Sequence, residues 1–209
     1  MTSFADLLQV LVSGLRVGSV YALVALGLVL LYRTTRILNF AHGDIGVAST
    51  FIAYTLITNS GLPFRVSFLL ALLAAGVIGM VIYVFLVRPA KNQSELGLLI
   101  LTLGLALFLG GLDALVFGTG NKVVPTLVEH RLISIGGASF SIVTVVTALV
   151  GVVLMVGLWA LMRFTRLGLA MRAVAEREDV AQALGIPVRS VLMATWATAA
   201  MLACAAALL

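Results

Sequence analysis

Val66-Ser-Phe-Leu-Leu-Ala-Leu-Leu-Ala-Ala-Gly-Val-Ile-Gly-Met-Val-Ile-Tyr-Val-Phe-Leu-Val87 runs for 22 residues without a charged side chain, held between Arg65 and Arg88. Crossing the hydrocarbon core of a bilayer takes ~20 predominantly apolar residues in helical form. This stretch supplies them, and the pattern recurs. Ile45–Phe64, Leu96–Leu112, Leu132–Met162 and Ser190–Leu209 are also uncharged, and Leu7–Leu31 is broken only by Arg16. A soluble core never needs six such stretches in 209 residues. The sequence predicts an all-α, polytopic transmembrane helical bundle of about six spans. They fall near 7–31, 44–59, 66–87, 96–117, 140–162 and 190–209, in a single transmembrane domain over 1–209.

Composition agrees. Hydrophobic residues make up 62% and charged residues 10%, where soluble domains carry about 25% charged. The net charge of +5 comes without a dense Lys/Arg run, which points to basic membrane loops rather than to nucleic acid. Cys204 is the only cysteine and lies in the last apolar run. Intrachain disulfides and Cys-based metal sites are thereby excluded. The first apolar stretch lacks a basic n-region and is too long for the core of a cleavable signal.

Basic residues set the orientation. Connectors 32–43, 88–95 and 163–189 hold nine, whereas the N-terminus and connectors 60–65 and 118–139 hold Arg65, Lys122 and Arg131. The positive-inside rule makes the rich side cytoplasmic and leaves the N-terminus outside. Arg16 and Asp113 are the charges deepest in apolar stretches, and both lie close enough to a span end to reach the interface. Gly14 and Gly18 form a small-xxx-small pair suited to close helix contact. In connector 118–139, alternation around Gly136-Gly137 suggests a hairpin or paired turn. Gly118-Thr-Gly-Asn-Lys122 fails as a phosphate loop, because Val123 stands where Ser or Thr is required.

Two segments carry candidate function. Asn39-Phe40-Ala41-His42-Gly43-Asp44 puts two ionisable groups and an amide where the second span begins. Polar groups near bilayer depth are costly and mark transport paths. Asp44 also gains ~0.3–1 kcal/mol from the dipole of the helix it opens, and Asn39 and His42 could simply tie down a turn. No second acidic or histidine residue follows along a span, which argues against a proton relay through His42. The other segment, within 163–189, reads as a short amphipathic helix between spans. Thr165 is its N-cap, Arg172 and Glu176 stand at i, i+4, and Gly185 is its stop before Pro187. Its small residues, Ala173 and Ala181 among them, suit an element that seats in a partner's groove; the plainer reading is an interfacial helix capping the bundle.

The alanine-rich helix closed by Gly185-Ile186 resembles the coupling loop of ABC-importer permeases. Gly18-Ser-Val-Tyr-Ala-Leu-Val-Ala-Leu-Gly27 and Asn39–Asp44 are similar to the N-terminal signature of branched-chain amino acid permeases of the LivH type. Arg88-Pro89, Ile100-Leu-Thr-Leu-Gly104, Phe117-Gly118, Val124-Pro125 and Thr165-Arg-Leu-Gly-Leu-Ala-Met-Arg-Ala173 follow in the family's order, so the resemblance covers essentially the whole chain.

That resemblance implies an ABC importer permease fold and a non-enzymatic subunit without cofactor, in the bacterial inner membrane. It would translocate branched-chain or related amino acids. Its implied partners are cytosolic ABC ATPase subunits, a second related permease subunit, a periplasmic substrate-binding protein and membrane lipid. Arg172, Ala173, Glu176, Ala181, Leu184, Gly185 and Ile186 are then expected to couple to the ATPase. Asn39, Phe40, His42, Gly43 and Asp44 are expected on the substrate path or its gate. A urea or short-amide permease of the same family and an ion-coupled secondary transporter are the alternative readings. The last run reaches Leu209 with no aromatic or basic anchor, so the chain is expected to be C-terminally truncated.

Overall fold

The computed structural model describes residues 4–90, 93–120, 122, 132–135 and 138–209. Its helices are α1 (Phe4–Thr35), α2 (His42–Thr58), α3 (Phe64–Ile82), α4 (Glu95–Phe117), α5 (Ile142–Phe164), α6 (Arg166–Glu176), α7 (Glu178–Ala183) and α8 (Val188–Leu208). α3 runs on through a π-helical turn over Tyr83–Val87, closed by the Arg88 N–H donating to Tyr83 O at 2.8 Å. Pro89 follows and has no N–H with which to extend the ladder. Between α4 and α5, β1 (Leu132–Ile135) and β2 (Ala138–Ser141) pair antiparallel, Leu132 opposite Ser141 and Ile135 opposite Ala138. The hairpin expected there is present; Gly136 and Gly137 lie outside the described residues.

Among the described residues, five helices are long and apolar enough to cross a membrane: α1, α3 with its π turn, α4, α5 and α8. α2 is the sixth expected span and differs. Its 17 residues reach about 25 Å at 1.5 Å per residue, short of a ~30 Å hydrocarbon core.

α8 is the axis of the bundle. Thirteen of its residues are buried, and α1, α2 and α3 surround it. Small side chains let them come close. A Cβ on Gly46 of α2 would stand 2.6 Å from Ala203 O, and one on Gly79 of α3 would stand 2.5 Å from Trp196 O. Trp196, Thr195 and Cys204 are fully enclosed in these contacts. α5 lies against α1, with Ser19 filling the space beside Gly151. α4 stands apart and meets α2 along one edge, where the Phe51 and Phe117 rings stack at 4.3 Å between centroids.

Candidate functional site

The chain between α1 and α2 does not stay at the rim of the bundle. Thr34 and Thr35 close the last turn of α1 by donating their hydroxyls to Leu30 O and Leu31 O, at 2.8 and 2.7 Å. Arg36 then adopts a left-handed backbone (φ 57°), uncommon for a residue with a side chain. The segment turns back inward from there. Leu38 O accepts a hydrogen bond from Thr102 Oγ1 at 3.2 Å, seven residues or about 10 Å into α4. His42 reaches Gly27 of α1, where an added Cβ would fall 2.5 Å from its Nε2. Gly27 lies eight residues, or about 12 Å, back from the end of α1.

α2 therefore starts inside the bundle. Next to His42, Gly27 also faces Ala199 O, and Gly46 faces Ala203 O, so α2 runs parallel to α8 from about its midpoint. This explains how a 17-residue helix occupies a span position. Non-helical backbone at membrane depth is tolerated where protein buries it, and Ile37, Asn39 and Ala41 are buried. Asn39 shapes the turn, its Oδ1 accepting the Ala41 N–H at 3.1 Å and its carbonyl the His42 N–H at 3.2 Å. Asn39 Nδ2 and both imidazole nitrogens of His42 are buried without a hydrogen-bond partner.

The five residues expected on the path separate into three directions. Asn39 and His42 point into the bundle and are 2% exposed. Phe40 and Gly43 face outward. Asp44 is half-buried and turns to α4 beside Gly110. The role of Gly27 as the seat of His42 has no signal in a run of small and apolar residues.

The helix expected within 163–189 is two helices. Thr165 caps α6 as expected, its Oγ1 accepting the Gly168 N–H at 3.0 Å. Gly168 is crowded by Leu161 O and the Met162 backbone, so the corner out of α5 closes only without a side chain. Arg177 breaks the helix with an extended backbone (φ −150°, ψ 103°). Glu178 and Asp179 then sit in the first turn of α7, where carboxylates favour a helix start. Arg177 holds Asp179 at 2.7 Å, which keeps that carboxyl below the usual carboxylate range and the guanidinium above its own. α7 ends in a Schellman motif: Gly185 N–H to Gln182 O and Ile186 N–H to Ala181 O, both 3.0 Å, with Gly185 at φ 82°. Only glycine adopts that backbone freely.

The burial of this element shows which of its small residues pack against the bundle. Gly168, Met171, Val174 and Ala181 face inward, and Ala173 and Ile186 pack against the core. Ala181 is buried and Ala173 half-buried against the bundle, where small side chains let α6 and α7 approach closely. Leu184 is 77% exposed, and Leu169 and Val180 are also exposed apolar side chains. Arg172 and Glu176 line a cleft against the end of α1, with Arg33 and Arg36. A second cleft brings Thr35, Arg88 and Glu178 together. The three basic connectors accordingly meet at one end of the molecule.

Among known proteins, residues 10–209 match the family "Branched-chain amino acid transport system / permease component". The chain is 35% identical to the high-affinity branched-chain amino acid transport system permease protein BraD of Pseudomonas aeruginosa, over 97% of its own length and 70% of the relative's. It is 28% identical to the corresponding permease LivH of Escherichia coli K12, over 99% of its length and 71% of the relative's. A probable branched-chain amino acid transport permease of Methanocaldococcus jannaschii is 30% identical over 86% of the chain and 58% of the relative. No solved structure matches the chain.

Proposed function

This chain belongs to the permease-component family of branched-chain amino acid transport systems, and from that premise we propose that it is the membrane-spanning subunit of an ATP-driven importer. The observation that carries the mechanism is the join between α7 and α8. The α6–α7 element ends in a rigid Schellman stop, and two residues later the chain enters the most buried helix of the bundle. A push on α7 is delivered to α8, and from α8 to α1, α2 and α3 through backbone-close contacts. A cytosolic ATPase supplies that push by holding the exposed Leu169, Val180 and Leu184 together with Gly185. The substrates are branched-chain amino acids, following the names of the relatives; urea, short amides and ion coupling are the weaker readings.

The basic end faces the cytoplasm by the positive-inside rule, with the N-terminus outside and the inner membrane as the location. A periplasmic binding protein delivers substrate at the opposite end, and a second permease subunit completes the path. The Asn39–Asp44 segment gates that path. Each buried polar group without a partner costs ~1–3 kcal/mol. Asn39 and His42 recover that cost in a second packing of the inward segment, which makes the two packings close in energy.

The test is uptake of labelled leucine in a permease-deleted strain expressing the chain with its ATPases, binding protein and second permease. Uptake should need ATP and survive collapse of the ion gradient. Uptake that persists without ATP but fails with the gradient overturns the reading. In the same assay Asn39→Ala should lower uptake severalfold while the assembled complex stays abundant. Loss of the complex before loss of uptake would leave Asn39 only its turn.

A further inference from the structure

We propose that the cleft between the end of α1 and α6 binds the headgroup of an anionic phospholipid. The cleft holds about 690 Å³ and opens at the end of the bundle where the α1 and α5 spans finish. Its rim is cationic: Arg33 and Arg36 stand on one side and Arg172 on the other, against the single carboxylate of Glu176. None of the three guanidiniums makes an ion pair among the described residues. Arginine presents a fork of donors matched to phosphate oxygens, and three around one cleft form a phosphate site rather than a scatter of loop charges.

The lower wall favours a lipid over a free anion. Val29 and Met162 continue the cleft downward along the spans as apolar surface, which an acyl chain covers and inorganic phosphate does not. Tyr32 lines the cleft at the level where aromatic side chains anchor at a membrane interface. Basic pockets between membrane helices on the cytoplasmic side bind anionic headgroups in this way. A lipid seated here joins α1 to α6, so membrane composition bears directly on the element that moves. Binding needs only that this end of the bundle lie at a membrane surface; its bearing on the movement of α6 rests on the proposed ATPase coupling.

The experiment uses the full chain in nonionic detergent, titrated with dihexanoyl phosphatidylglycerol or dihexanoyl phosphatidylcholine, with bound lipid counted by native mass spectrometry. Phosphatidylglycerol should bind more tightly. R33Q, R36Q and R172Q should each weaken it about fivefold and leave phosphatidylcholine unchanged. R65Q, on the connector at the other end, should change neither. E176Q removes the opposing charge and should strengthen phosphatidylglycerol binding, a gain that misfolding does not produce. Equal binding of the two lipids, or arginine variants that bind like the parent chain, would overturn the proposal. Displacement of phosphatidylglycerol by an equal concentration of inorganic phosphate would assign the cleft to a free anion. Loss of ATPase co-purification in the arginine variants with lipid binding unchanged would assign it to protein contact; either result overturns the lipid site.

Discussion

α4 and α8 are both apolar enough to cross a membrane, yet they occupy opposite environments. α4 buries two of its residues, Thr102 and Leu109, and α8 buries thirteen. The difference lies in side-chain size. α4 is built on leucine, with Leu103, Leu107, Leu112 and Leu115 exposed. α8 is built on alanine with Thr195, Thr198 and Cys204. In lipid no hydrophobic force draws helices together, so close approach and van der Waals contact decide which helix is central. Hydropathy identifies a span, and residue volume identifies its place in the bundle.

The contrast is sharpest at glycines facing the two helices. Gly79→Leu drives a side chain into Trp196 O and Ala200 Cβ, and backbone yields poorly. Overpacking of this kind costs on the order of 3 kcal/mol or more, so most of the folded protein should be lost in size-exclusion profiles of solubilised membranes. A Cβ added at Gly104 on α4 meets nothing within 4 Å, so Gly104→Leu should leave the monomer within about 0.5 kcal/mol of the parent. Equal losses in the two variants would break the distinction between axis and periphery.

A similar pair separates the faces of α7. Ala181 is buried and Leu184 exposed. Ala181→Arg places an unpaired charge inside and should lower the amount of folded chain severalfold. Leu184→Arg should leave abundance unchanged while uptake falls and ATP hydrolysis escapes control by the binding protein. Intact abundance in Ala181→Arg would return the alanine face to the surface.

The smallest expected effect is at the link itself. Gly185→Val forces a β-branched residue to φ 82°, costing about 1–2 kcal/mol, which a thermal shift of the purified chain should register. Gly185→Asn should cost less, because asparagine tolerates this region. Identical shifts would remove the backbone argument for the stop.

Much of this was legible in the sequence. Charge-free runs located the long helices, Thr165 and Gly185 marked the ends of the α6–α7 element, and alternation around Gly136-Gly137 marked the hairpin. Depth was not legible. Arg36–Ala41 has the mixed polarity of an interfacial loop, and only the contacts of Leu38 with Thr102 and His42 with Gly27 show it turning inward. The break at Arg177 was hidden because Glu176-Arg177-Glu178-Asp179 reads equally as a solvated helical turn or as the start of a new helix. Ala173 and Ala181 left two readings open for a related reason. A small residue serves a partner's groove or a close internal contact, and composition does not say which.

Under the proposed function, α7 takes force from an ATPase and passes it to α8. The direct measurement is photo-cross-linking with a benzophenone maleimide attached to a single cysteine, at Leu184 or at Asn59, in a Cys204→Ala background and in membranes holding the assembled importer. Position 184 should cross-link to the ATPase subunit and position 59 should not. A cross-link to the ATPase from position 59, or none from position 184 in a complex that still imports leucine, would contradict that transfer of force.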